Sequence, residues 1–158
     1  MRLHRGTVAL LCVSLGAACR SATDPSPRLD VTLTVDRDVV DPTNPVRVTI
    51  IIVNRDSRLV KANHPLSYAC RAPYIVLDQA GTAIALPGRL CLAIGYAPRD
   101  LAPGDSITIT DKWSGDVEGA DEIVKPAPPG SYQLVARVVV DGREVGSAPV
   151  AVRANNGR

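Results

Sequence analysis

Apolar and polar residues alternate with a period of two along much of this chain, the mark of strands with one buried face and one wet face. Leu29, Val31, Leu33 and Val35 alternate with Asp30, Thr32, Thr34 and Asp36. Val46, Val48 and Ile50 begin a second run that turns wholly apolar through Ile50, Ile51, Ile52 and Val53. That change predicts a central strand covered on both faces. Ile107 and Ile109 share a parity with Trp113, and Thr108 and Thr110 take the other. Tyr132, Leu134, Ala136, Val138 and Val140 line one side of a further run. Shorter strands are predicted at Arg58–Lys61, Leu66–Cys70, Pro73–Asp78, Thr82–Leu86, Arg89–Ile94 and Arg143–Arg153. No segment carries a convincing helical period, and no internal repeat or second domain is visible.

The turns that separate these runs have their own chemistry. Asp41-Pro42-Thr43-Asn44-Pro45 is a strong turn, and Asp78-Gln79-Ala80-Gly81 suits a hairpin with Gly81 in the left-handed region. In Pro103-Gly104 the proline pre-sets φ and the glycine accepts a positive φ. Asp141-Gly142 is a strong hairpin signal. Asp116–Glu122 reads as a polar loop. Pro126, Pro128, Pro129 and Gly130 are expected to exclude regular structure before Ser131. Pro149 predicts an interrupted or edge position for the last strand. About seven to nine short strands joined this way predict an all-β, two-sheet antiparallel sandwich.

Composition sharpens the picture. The chain has 158 residues, including thirteen prolines, twelve glycines, one Trp and no Phe, so its core is built from Val, Ile, Leu and Ala. The formal net charge of +2 includes Arg2 and Arg5. Without them the basic and acidic residues balance, and no basic patch argues for a nucleic-acid partner or for an anionic membrane surface.

Those two arginines open a segment with the parts of an export signal: a basic start, an apolar run from Thr7 to Ala18, and small residues at Gly16-Ala17-Ala18 before Cys19. The apolar run is shorter than the roughly 20 residues a spanning helix needs. Residues 1–18 are expected to be a signal peptide, with Cys19 lipidated as in bacterial lipoproteins. Gly16 stands where such signals usually carry Leu, and cleavage that leaves Cys19 a plain thiol is the alternative. Residues 19–28, polar and proline-bearing, read as a tether, residues 29–154 as one domain and residues 155–158 as a tail. The expected location is the cell envelope, with membrane contact only through the N-terminal lipid. Cys70 and Cys91 then remain as a pair in an oxidising compartment. Their disulfide would close a loop of about 20 residues and contribute about 3 kcal/mol. Metal binding and two separate thiols are the competing readings.

The stretch Leu101–Tyr132 carries a family resemblance. LAPGDSITITDKW, a loop with glycines, and PPGSYQLVARV are similar to the intracellular proteinase inhibitor (BsuPI-like) domain. The shared features are the turn at Pro103-Gly104, a strand ending in Trp113, and Pro129-Gly130 opening a strand with Tyr132. The resemblance runs over Leu101–Val140 and extends weakly back to about Val48 through Ile51–Asn54 and Tyr74–Gly81. It implies an immunoglobulin-like β-sandwich and, by family name, inhibition of a proteinase. That namesake activity belongs to a cytoplasmic setting, whereas this chain carries an export leader.

Chemistry-bearing constellations are sparse. His64, in Asn63-His64-Pro65, is the one histidine after the leader, and no serine sits in a nucleophile-elbow motif. Asp111, Asp116, Glu118, Asp121 and Glu122 gather oxygen ligands that would suit calcium, without EF-hand spacing; a solvated loop is the plainer reading. No cofactor is expected. Tyr132, opening its strand after Pro-Gly, is expected to form a tyrosine corner, with Trp113 in the core. The expected function is non-enzymatic: an envelope-anchored β-sandwich binding a protein or an envelope polymer through Asn54–Pro65 and Gly115–Pro129, with proteinase inhibition as the alternative.

Overall fold

The computed structural model describes residues 28–63, 72–87, 99–118 and 123–155. Every regular element among them is a strand: β1 (Leu29–Val35), β2 (Val39–Val40), β3 (Val46–Asn54), β4 (Val60–Asn63), β5 (Tyr74–Leu77), β6 (Ala83–Ile84), β7 (Arg99–Leu101), β8 (Ser106–Trp113), β9 (Asp116–Glu118), β10 (Val124–Pro126), β11 (Gly130–Val140), β12 (Arg143–Gly146) and β13 (Val150–Ala154). The fold is an all-β sandwich. Its thirteen segments exceed the seven to nine expected because several strands are split in two along one neighbour.

The first sheet is antiparallel in the order β1-β3-β8. Its registers pair Leu33 with Ile50 and Ile50 with Ile109, so three core residues line up in one row. The second sheet is organised around β11, whose eleven residues serve two partners on each side. Its first half lies between β13 and β5, and its second half between β12 and β4. Ser147-Ala148-Pro149 separates β12 from β13, as the proline, which lacks an N–H, requires. β6 pairs with β5, β7 pairs with β4, and β2 runs parallel to β13 along the outer edge.

The two sheets bury a core drawn almost wholly from aliphatic side chains. Val46, Val48, Ile50, Ile52, Leu101, Leu134, Val138, Val140 and Val152 are all at most 1% exposed. Burial of each such side chain favours folding by about 1.5–3 kcal/mol relative to its exposed state.

Two expectations need correction. β3 is not covered on both faces: burial alternates along it, and Ile51 is 37% exposed. Ile51 lies between Thr32 and Thr108, on the outward face of the first sheet. The apolar run reflects β-branched preference for a pleated surface as well as burial. Second, the Asp116–Glu122 loop and the proline-rich stretch after it contain an antiparallel pair, β9 with β10. Pro126 fits because it ends an edge strand that needs no donor there. The strands expected at Leu66–Cys70 and Arg89–Ile94 lie outside the described residues.

The tight turns follow their residue chemistry. Asp141 and Gly142 have φ of 46° and 76°, the paired positive values of a type I′ hairpin. Asp141 also serves a second purpose: its backbone N–H donates to the Lys61 carbonyl at 3.0 Å, and its Oδ1 accepts from the Lys61 N–H at 2.9 Å. At Ala102–Asp105, Gly104 has φ 84° and the Asp105 N–H donates to Ala102 at 3.0 Å, closing the turn.

Candidate functional site

The registers divide the loops between two ends of the sandwich. At one end lie Arg28, the β3–β4 loop (Arg55–Leu59), the Ala102–Asp105 turn and the Asp141-Gly142 hairpin. At the other lie the Asp41–Asn44 turn, the β8–β9 corner, the Asp78–Thr82 turn and the entry to β11.

Four residues of the Leu101–Tyr132 motif meet at the second end. Trp113 is 3% exposed and Tyr132 7%, and their rings form an edge-to-face pair with centroids 5.7 Å apart and planes at 74°. The Trp113 indole N–H donates to the Asp116 carbonyl at 3.2 Å. The Tyr132 hydroxyl donates to the Pro128 carbonyl at 2.7 Å, four residues upstream, which is the geometry of a tyrosine corner. Burial, with Asp78 nearby, pushes the Tyr132 hydroxyl above its ordinary value, so it stays a protonated donor at neutral pH. Pro129 and Gly130 deliver the chain into β11 beside the Asp78–Thr82 turn, with Gln79 close to Gly130. Pro103 and Gly104 form an exposed turn at the opposite end and take no part in this cluster.

The acidic residues are used locally. Ser114 donates its hydroxyl to Asp116 Oδ2 at 2.7 Å, Lys112 donates its N–H to Asp111 Oδ1 at 2.8 Å, and the Glu118 backbone N–H reaches the Ala85 carbonyl at 2.9 Å. Among the described residues no group of three or more His, Cys, Asp or Glu is placed to hold a metal ion. Asp121, Glu122, His64, Cys19, Cys70 and Cys91 lie outside the described residues.

The Glu118–Ala85 bond draws the β9–β10 pair toward the stretch after β6, and a groove opens beside it. One hollow of about 180 Å³ is lined by Tyr74, Leu86, Pro87, Lys112, Trp113 and Asp116. A second of about 330 Å³ adjoins it, sharing Tyr74, Leu86 and Pro87 and adding Ile75 and Ile84. The Tyr74 hydroxyl donates to the Lys112 carbonyl at 3.4 Å, spanning the groove floor. Beyond β9, Ile123 and Val124 stand 60% and 53% exposed, Ile123 just before β10 and Val124 as its first residue. The groove is shallow and mixed in polarity, suited to contact with an extended chain more than to enclosing a small molecule.

At the first end, Asn54 is the one buried polar side chain among the described residues, with no exposure. Its Nδ2 donates to the Arg58 carbonyl at 2.9 Å and the Leu101 carbonyl at 3.0 Å, and its Oδ1 accepts from the Asp56 N–H at 2.8 Å. Its backbone bonds to Asp105 and Gly104. Asn54 therefore fastens the β3–β4 loop to the start of β8. Sequence reading placed it at the end of the Ile51–Asn54 segment and the start of the Asn54–Pro65 recognition loop without giving it a fastening role; the signal available was an Asn at the end of an apolar run followed by Arg-Asp-Ser.

No family model matches the chain, and no curated protein matches it. Among solved structures, a β-glucosidase from Erythrobacter marinus aligns with 82% of this chain at 13% identity and a TM-score of 0.47. A β-glucosidase from Listeria innocua in complex with laminaribiose aligns with 83% at 10% identity and 0.43. This chain spans 16% of the length of each. A Bordetella pertussis protein designated ApaA aligns over 82% of this chain and 94% of its own, at 18% identity and 0.39. Likenesses of this strength carry no argument about activity.

Proposed function

We propose that this chain is an exported, non-enzymatic β-sandwich, anchored in the cell envelope by a lipid on Cys19, that binds a protein or envelope polymer. The observation that carries the binding reading is the exposure of Ile123 and Val124 at the start of edge strand β10, whose partner β9 contributes Asp116 to the groove lined by Tyr74, Leu86 and Trp113. Two large aliphatic side chains more than half exposed at the start of an edge strand gain burial on docking. The proposed Cys70–Cys91 disulfide belongs to the same reading, as a covalent support suited to an exported domain. The test is photo-cross-linking from Val124 in intact envelopes. A discrete adduct that disappears on Ile123→Asp supports the reading. No adduct above that from a probe at Thr32, on the outer face of the first sheet, refutes it.

Proteinase inhibition is the second reading and rests on the resemblance at Leu101–Tyr132. A panel of subtilisin-like proteases decides it: nanomolar inhibition by intact, undigested protein establishes it, and none at micromolar concentrations removes it.

A further inference from the structure

From the place where the tether meets the sandwich, we infer that the β3–β4 loop faces the lipid bilayer, with Leu59 seated in the membrane interface. The inference rests on the lipid-anchor reading above and departs from the expectation that the lipid is the sole membrane contact, adding an orientation and a contact site. Eight residues separate Cys19 from Arg28. At full extension they reach at most about 30 Å, and as a flexible coil they span about 17 Å.

Arg28 is fixed at one end of the sandwich: the Arg55 N–H donates to its carbonyl at 2.8 Å, and its own N–H points at Asp56 Oδ2 at 3.4 Å. The tether therefore emerges against the β3–β4 loop. The far end lies about 36 Å away along the eleven residues of β11, taken at about 3.3 Å per residue. Eight residues, reaching at most about 30 Å, fall short of bringing that end to the bilayer. The near end meets the surface with the tether relaxed.

The near-end loop is built for such a contact. Leu59 is 55% exposed, a large aliphatic side chain at the loop's end. Arg55 and Arg58 stand nearby with side chains 61% and 43% exposed, Arg55 paired with Asp30 at 3.6 Å and Arg58 with Asp56 at 3.5 Å, and long basic side chains of this kind can lay their stems against an interface. The loop is rigid. Asn54 holds the Arg58 carbonyl and the Asp56 N–H, and Asp56 accepts the Ser57 N–H at 2.7 Å and pairs with Arg58 at 3.5 Å. Acidic and basic residues are balanced around it, so the contact is shallow. A short tether supplies an effective concentration of about millimolar, so a contact of only millimolar affinity suffices to orient the domain.

The test uses the full precursor, expressed in a lipoprotein-processing bacterium, purified in detergent and reconstituted into vesicles of phosphatidylethanolamine and phosphatidylglycerol. Some of the phosphatidylethanolamine carries brominated chains. Intact mass first establishes whether Cys19 is acylated; an unmodified Cys19 overturns the anchor reading and this inference with it. On acylated protein, tryptophan fluorescence is compared for Leu59→Trp and Gln79→Trp, one variant at each end of the sandwich. The inference expects bromolipid quenching at least twofold greater for Leu59→Trp. Equal quenching, or greater quenching of Gln79→Trp, overturns the orientation while leaving the anchor intact. Urea melts of both variants exclude unfolding as the source of a difference, since Trp113 reports the core in each. If Leu59→Trp is shielded from water yet not quenched by bromolipid, a second copy of this chain covers the loop and the membrane assignment falls.

Discussion

Replacing Asn54 tests whether one buried amide fastens the two sheets at the tether end. Asn54→Ala removes three hydrogen bonds of 2.8–3.0 Å at a site with no solvent exposure. Each such bond contributes about 0.5–1.5 kcal/mol net, and a buried carbonyl left without its donor costs about 1–3 kcal/mol. Leu101, 1% exposed, is the residue whose carbonyl suffers most. The loss is about 4 kcal/mol. For a domain of this size that lowers the thermal midpoint by about 10–15 °C. Asn54→Asp is the sharper variant. It keeps the shape and the acceptor for Asp56 but replaces both donor hydrogens with a carboxylate facing two carbonyls. Burial raises that carboxyl's pKa in the folded state above its unfolded value of about 3.9. The sign follows: the variant approaches the wild type most closely at acid pH. Its deficit grows as pH rises from the unfolded pKa to the folded one, by about 1.4 kcal/mol for each unit of separation. Urea denaturation of all three proteins at pH 4 and pH 7.5 measures this. An Asn54→Ala cost under 1 kcal/mol, or an Asn54→Asp deficit equal at both pH values, would refute the account.

Two further outcomes follow from the same geometry. Tyr132→Phe keeps the edge-to-face packing on Trp113 and deletes only the 2.7 Å bond to Pro128, so calorimetry should show a loss of about 1–2 kcal/mol with unchanged near-ultraviolet dichroism from Trp113. Acid sensitivity arises at Asp41 and Asp36, whose carboxyls sit below the ordinary aspartate value of 3.8, held mainly by the Thr43 hydroxyl and by the Arg47 N–H respectively. Their contribution is present above pH 3.8 and lost as pH falls through the lowered folded values. Stability should therefore be level from pH 7 to about 5 and decline below about 4, with a shallower decline in Asp41→Ala. An equal slope in the variant removes Asp41 from the account.

What the sequence revealed depended on how local each determinant was. The period-two runs at β1, β8 and β11 were legible because each has one wet face, so parity alone separates Ile107 and Ile109 from Thr108 and Thr110. Gly81, Gly104 and Gly142 announced their turns because each needs a positive φ, and each has one. The outward exposure of Ile51 was not legible, since a β-branched residue suits a strand on either face. The β9–β10 pair was hidden by its prolines and polar residues; Pro126 is tolerated only because β10 is an edge. The groove was the least visible feature. It depends on the Glu118–Ala85 bond bringing together segments more than thirty residues apart, and nothing in either segment alone encodes that meeting. Asn54 falls between these cases. The residue type is conspicuous at the end of an apolar run, but its three partners lie in the loop that follows and at the end of β7.

The proposed contacts occupy opposite ends of one rigid strand, and this separation gives them a joint meaning. β11 carries the Tyr132 corner at its start and the Asp141-Gly142 hairpin at its finish. If the end at Arg28 rests on the bilayer as proposed, the groove at Trp113 and Leu86 is held toward the other end, several nanometres into the envelope. In the proposed arrangement the domain would have no need of tight membrane binding, because a lipid on Cys19 would supply it. What it needs is stiffness, so that the far face keeps a fixed bearing toward its partner. Asn54 at one end and the Tyr132–Trp113 pair at the other provide that stiffness with hydrogen bonds and ring packing rather than core volume. Loosening either end should therefore weaken partner capture before it unfolds the domain. In Asn54→Ala protein held at 20 °C, the Val124 cross-link should fall severalfold although the fold remains intact by circular dichroism. An undiminished cross-link would mean that the two ends act independently.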